Sequence, residues 1–74
     1  MIKKVLLLFQ STHDVIKAER ISRKEGFSVQ VVPVPRSVSS ECGMALETRA
    51  RSKNRISKFL IKSGIEVLRV LDMW

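Results

Sequence analysis

Pro33 and Pro35 stand one residue apart at the end of a valine-rich run, Val29, Val31, Val32 and Val34. Proline has no amide proton to give a neighbouring strand, so a run that ends this way belongs at a sheet edge or a strand end. Any sheet this chain builds must therefore place its remaining apolar runs on the inner positions or at the far edge.

Those runs are short. Lys3 to Phe9 is rich in leucine and valine, does not alternate, and stops at the polar Gln10, which is the pattern of a central strand buried on both faces. Gly43 to Glu47 is a third strand with Met44 and Leu46 on one face, and the pattern leaves its extension to Thr48 and Arg49 open. Ile65 to Leu71 sets Ile65, Val67, Leu68 and Val70 against Glu66 and Arg69 and reads as a fourth strand, followed by the short tail Asp72, Met73 and Trp74.

Between the strands lie two helical patterns. Ser11 or Thr12 offers a hydroxyl cap, and Asp14 puts negative charge in the first turn, where the helix dipole favours it. Val15, Ala18, Ile21 and Ser22 recur at spacings of three and four, and Gly26 suits the left-handed position that ends a helix, so the first helix spans roughly 12 to 25. Ile56, Phe59 and Leu60 define a second helix over at least Ser52 to Ser63, with Gly64 as its stop.

The order β-α-β-β-α-β is that of the ferredoxin-like split unit. The expected fold is therefore α/β (α+β): a βαββαβ sandwich with a four-stranded antiparallel sheet, strand order 4-1-3-2, and both helices on one face. Right-handed crossovers leave a gap between strands one and two, which strand three fills. Seventy-four residues make one domain, 1–74, that buries about 60% of its unfolded surface.

Composition removes several function classes. A single cysteine forms no internal disulfide, and with a single histidine it cannot supply the ligands of a zinc site, so neither a metal nor a resident cofactor is expected. Lys3 and Lys4 before Val5 to Phe9 imitate a signal peptide, but five apolar residues fall short of the roughly 7–15 of a signal core. No run approaches the roughly 20 apolar residues of a membrane span, and a free thiol fits a reducing compartment, so the cytoplasm is the expected location. Fourteen basic against seven acidic residues give a charge of +7, which favours an anionic partner without choosing one.

Residues 33 to 43, PVPRSVSSECG, hold both prolines, three serines and the lone cysteine, and form the candidate site. Cys42 is its reactive atom. A thiol at its ordinary pKa of about 8.5 is only slightly ionised at neutral pH, whereas a helix N-terminus or a nearby cation lowers it to roughly 3.5–7.5. The expected topology brings strand three in beside the exit of strand one, so Cys42 and Gly43 should lie next to the start of the first helix, with Arg36 as the cation. His13 is a candidate proton acceptor for Cys42. Ser37, Ser39, Ser40 and the amides around Gly43 are candidate donors to an anion, whether a persulfide or an oxyanion, and Ser11 and Thr12 are candidate caps and ligand contacts.

Phe9, Ser11, Thr12, His13 and Asp14, then Ala18-Glu19 with a closing Gly26, then P-V-P-R-x-x-S-S-x-C-G from Pro33 to Gly43, together resemble the small bacterial family of selenium/sulfur carrier-like proteins. The resemblance runs from about residue 5 to residue 47. It implies a ferredoxin-like domain in which Cys42 holds sulfur or selenium in transit, as a carrier rather than a complete enzyme. Such a thiol needs a donor protein, such as a cysteine desulfurase or sulfurtransferase, to load it.

The stretch from Arg49 to Lys62, with six basic residues and no acidic one, supports a rival reading: a basic protein- or RNA-binding module acting through the second helix. RNA-recognition modules of this topology stack bases on aromatics of the central strands. Met44, Ala45 and Leu46 offer none and strand one offers only Phe9, so nucleic acid is disfavoured. An exposed edge strand leaves the pairing of two copies open.

Overall fold

The computed structural model describes residues 3–34 and 43–72. In chain order the elements are β1 (Lys4–Leu8), α1 (Thr12–Lys24), β2 (Val29–Pro33), β3 (Met44–Arg49), a short 3-10 turn (Ala50–Ser52), α2 (Lys53–Lys62) and β4 (Arg69–Asp72). The four strands form one sheet in the order β2-β3-β1-β4, with every pairing antiparallel. This is the ferredoxin-like α+β arrangement expected from the element order.

Pro33 holds to the proline rule: β2 is an edge strand, and Pro33 is its last residue, opposite Met44. β1 lies in the interior of the sheet, and Val5, Leu6, Leu7 and Leu8 are all at most 3% exposed. Val5 and Leu7 point to the face that also receives Val15 and Ala18 of α1 and Ile56 and Leu60 of α2, in one cluster with Phe9, Val29, Leu46 and Ile65. Both helices therefore pack on the same face. Each large side chain buried there contributes about 1.5–3 kcal/mol.

Helix α1 meets the sheet through small residues. Ala18 and Ser22 are fully buried, and the Ser22 hydroxyl finds no hydrogen-bond partner among the described residues. Close approach of the helix thus comes at about 1–3 kcal/mol for the unpaired hydroxyl. Leu6, Leu8 and Ala45 form a second buried cluster on the opposite face, with Val32, Val34 and Leu71 against it, to which neither helix contributes a residue.

Both helices close with the same six-residue motif. At the end of α1, Phe27 N–H donates to Ser22 O at 2.9 Å and Gly26 N–H to Arg23 O at 3.1 Å; at the end of α2, Ile65 donates to Leu60 O at 2.9 Å and Gly64 to Ile61 O at 3.0 Å. The motif needs a left-handed residue in its fifth place, and Gly26 supplies it with φ 97°. The turn then delivers Phe27 onto the core, where its ring sits 5.7 Å from that of Phe59.

One strand end that the sequence left open is settled, and one strand start differs from the expectation. β3 runs on to Arg49, because β1 reaches back to Lys4 and gives Thr48 and Arg49 partners. The fourth strand starts at Arg69, not Ile65. Its partner is β1, whose pairing with β4 stops at Leu8↔Arg69, so residues before Leu68 have no strand beside them. Leu68 N–H still reaches Leu8 O at 2.8 Å, while Ile65 is consumed by the end of α2 and packs into the core. Ile65 and Val67 alternate because both pack against the core, whereas Leu68 and Val70 are exposed.

Candidate functional site

The first turn of α1 opens at the end of the sheet where β1 stops. Ser11 is extended (φ −146°, ψ 160°), its Oγ accepts the Asp14 N–H at 3.2 Å, and its carbonyl accepts the Val15 N–H at 3.2 Å. Of the two candidate caps, Ser11 is thus the one in use. Thr12 and His13 follow on the exposed side of that turn, and Asp14 is half-buried.

β3 begins at the same end. Following the register two residues beyond Leu8↔Ala45 brings Gly43 level with Gln10, one residue from the Ser11 cap. Val34 N–H donates to Gly43 O at 3.0 Å, so the two residues flanking segment 35–42 are tied together. Gly43 is exposed, has φ 69°, and a Cβ built on it meets nothing within 4 Å among the described residues. A positive φ of this size is one that glycine adopts readily and residues with a side chain rarely do.

The structure thus sets Ser11, Thr12, His13 and Gly43 at one end of the sheet. Cys42, Arg36, Ser37, Ser39 and Ser40 lie outside the described residues. A helix start carries the equivalent of roughly half a positive charge on its unpaired amides, and here Ser11 occupies one of them and Asp14 offsets part of that field. What remains favours an anion next to the turn.

A second concavity lies at the opposite end of the sheet, lined by the end of α1, the residues that lead into β2, the end of β3 and the first turns of α2. Sequence reading singled out its basic residues as a stretch. It gave no reason to join Phe27 and Ser28 to them, because these come from a distant segment. Among the described residues no group of three or more metal-ligating side chains occurs, and no described helix is long and apolar enough to cross a membrane.

The fold and this end of the sheet define a ferredoxin-like α+β domain whose third strand enters, on a glycine, beside a capped helix start. The chain belongs to the family described as "Putative Se/S carrier protein-like", which matches residues 4–72. That match extends well past residue 47, through the basic stretch and into β4. No curated protein and no solved structure matches the chain.

Proposed function

We propose that this chain carries sulfur or selenium on Cys42. The observation that carries the reading is the family match over residues 4–72, which contains the only cysteine of the chain. The placement of Gly43, next in sequence to Cys42, beside the α1 start supports it, since helix-terminal amides favour a thiolate.

The transfer balances without an added oxidant. The Cys42 thiolate attacks the outer sulfur of a donor persulfide, R–S–SH; the new S–S bond forms as the donor's own S–S bond breaks, and the donor leaves as the thiolate R–S⁻. The proton of the transferred sulfur stays with it or passes to His13. A perselenide donor, R–S–SeH, reacts in the same way. Arg36 stabilises the thiolate before transfer. Ser37, Ser39, Ser40 and the Gly43 amide donate to the terminal sulfur afterwards. Ser11 acts by holding the first turn in place, with Thr12 beside it.

The donor is a protein that itself forms a persulfide, of the cysteine desulfurase or sulfurtransferase class, met in the cytoplasm. RNA recognition has less support. The sheet face that the helices leave uncovered presents Leu6, Leu8 and Ala45 on its central strands, all buried and none aromatic.

The test is intact mass after incubation with a small-molecule persulfide. The wild type should gain one sulfur and return it to an acceptor thiol; Cys42→Ser should gain none. A wild type that gains nothing, or a thiol that titrates above about 8.5, would sink the proposal.

A further inference from the structure

At the end of the sheet away from Gly43 there is a cavity of about 510 Å³, within the range of small-molecule sites. Its wall of cations is Arg49, Arg51, Arg55 and Lys58, faced by one carboxylate, Glu25. Among the described residues none of these four cations is ion-paired; the ion pairs found are Lys4–Glu47 and Arg23–Glu19.

Holding those cations together is unfavourable by itself. Helix α2 starts at Ser52 with no side-chain cap and no acidic residue in its first turn, and Arg51, Lys53 and Arg55 cluster around its positive end. Both the mutual repulsion and the helix field oppose this placement. A bound anion would reverse the sign of each term, and Ser52, at the helix start, lines the cavity.

The opposite wall is fixed in place. Thr48 Oγ1 donates to Ser28 O at 3.1 Å, and Arg23, paired with Glu19 at 3.3 Å, donates to Val29 O at 3.2 Å. These bonds anchor the Gly26–Ser28 turn against the sheet and bring the half-buried Phe27 ring beside Phe59, both of which line the cavity. The result is a guanidinium-rich rim over an aromatic patch.

We infer that this cavity binds a small phosphorylated molecule of mononucleotide size. Arg51 and Arg55 clamp its phosphate, with Arg49 and Lys58 adding charge. Arginine matches phosphate oxygens with paired donors, and the Phe27–Phe59 patch takes a planar ring. The site is separate from Cys42 and does not depend on the carrier reading.

The experiment is an amide and aromatic NMR titration of the full chain with adenosine 5′-monophosphate, inorganic phosphate, adenosine and a short oligouridine. The nucleotide should shift the amides of Ser52 to Arg55 and the rings of Phe27 and Phe59. Phosphate should shift the amides alone and more weakly, and adenosine should shift neither set. Arg51→Ala/Arg55→Ala should weaken the nucleotide about tenfold or more, while Lys3→Ala/Lys24→Ala, with the same loss of charge, and Cys42→Ser should bind like wild type. Equal weakening in the two double variants would mean diffuse charge and overturn the proposal. So would tighter binding of the oligouridine than of the nucleotide, which would make the face a nucleic-acid surface, or the absence of any shift with the nucleotide.

Discussion

The two helices of this protein begin in opposite ways, at opposite ends of one sheet. Helix α1 starts on an extended serine whose hydroxyl caps it, with Asp14 in its first turn. Helix α2 starts without a side-chain cap and with cations where α1 has its acid. The antiparallel pairing of β1 with β3 forces the separation, since the chain leaves β1 at Leu8 and leaves β3 at Arg49, which is level with Lys4. Six strand steps from Gly43 to Arg49 amount to about 20 Å. The first start is built for stability and leaves a modest positive field; the second gives up stability and concentrates charge. That contrast separates a structural terminus, beside which a reactive residue can be tuned, from one shaped to receive something.

The largest expected effect breaks both ends at once. Leu60 is fully buried between α2 and the sheet, and Leu60→Ala should cost about 2–5 kcal/mol in urea unfolding. A chain of this size has little more stability than that, so both ends should fail together. If thiol loading survived with α2 melted, the two ends would not share a core in the way the packing requires.

A smaller effect should stay at one end. Gly43→Ala forces a left-handed alanine at about 1–2 kcal/mol, while the added methyl meets no atom within 4 Å among the described residues. Sulfur loading should slow and nucleotide binding should not change once both are measured well below the unfolding midpoint. Equal loss at both ends would mean that the variant acts only through global stability.

The smallest effects should have opposite signs. Ser11→Ala removes the cap of α1 and should destabilise by about 1 kcal/mol. Arg55→Ala relieves the start of α2 and at low salt should stabilise by about 0.3–1 kcal/mol, a gain that added salt removes. Paired melts in low and high salt would check both, and a destabilising Arg55→Ala would show that this side chain supports the fold.

Much of this was legible in the residues. The serine cap, the glycine stops at 26 and 64 and the proline at 33 are local devices, and each acts in the structure as its chemistry requires. Ile65 to Leu68 misled because Ile65 and Val67 pack against the core, which looks like one face of a strand, although no strand lies beside them. The thiol end was half legible: Ser11 and Gly43 meet at one end of the sheet as the topology demands, while Cys42 and Arg36 lie outside the described residues. The cavity was not legible, since its aromatic patch pairs Phe27 with Phe59 from segments more than two elements apart.

By itself, then, the sequence determined the order of elements, where helices begin and end, which strand lies at the edge, and the family. These follow from short-range rules that a few neighbouring residues satisfy. Only the tertiary structure decided where β4 begins, because a strand exists only where a partner offers hydrogen bonds. It alone also turned a basic stretch into the rim of a cavity, because concavity arises from surfaces that the chain brings together after folding.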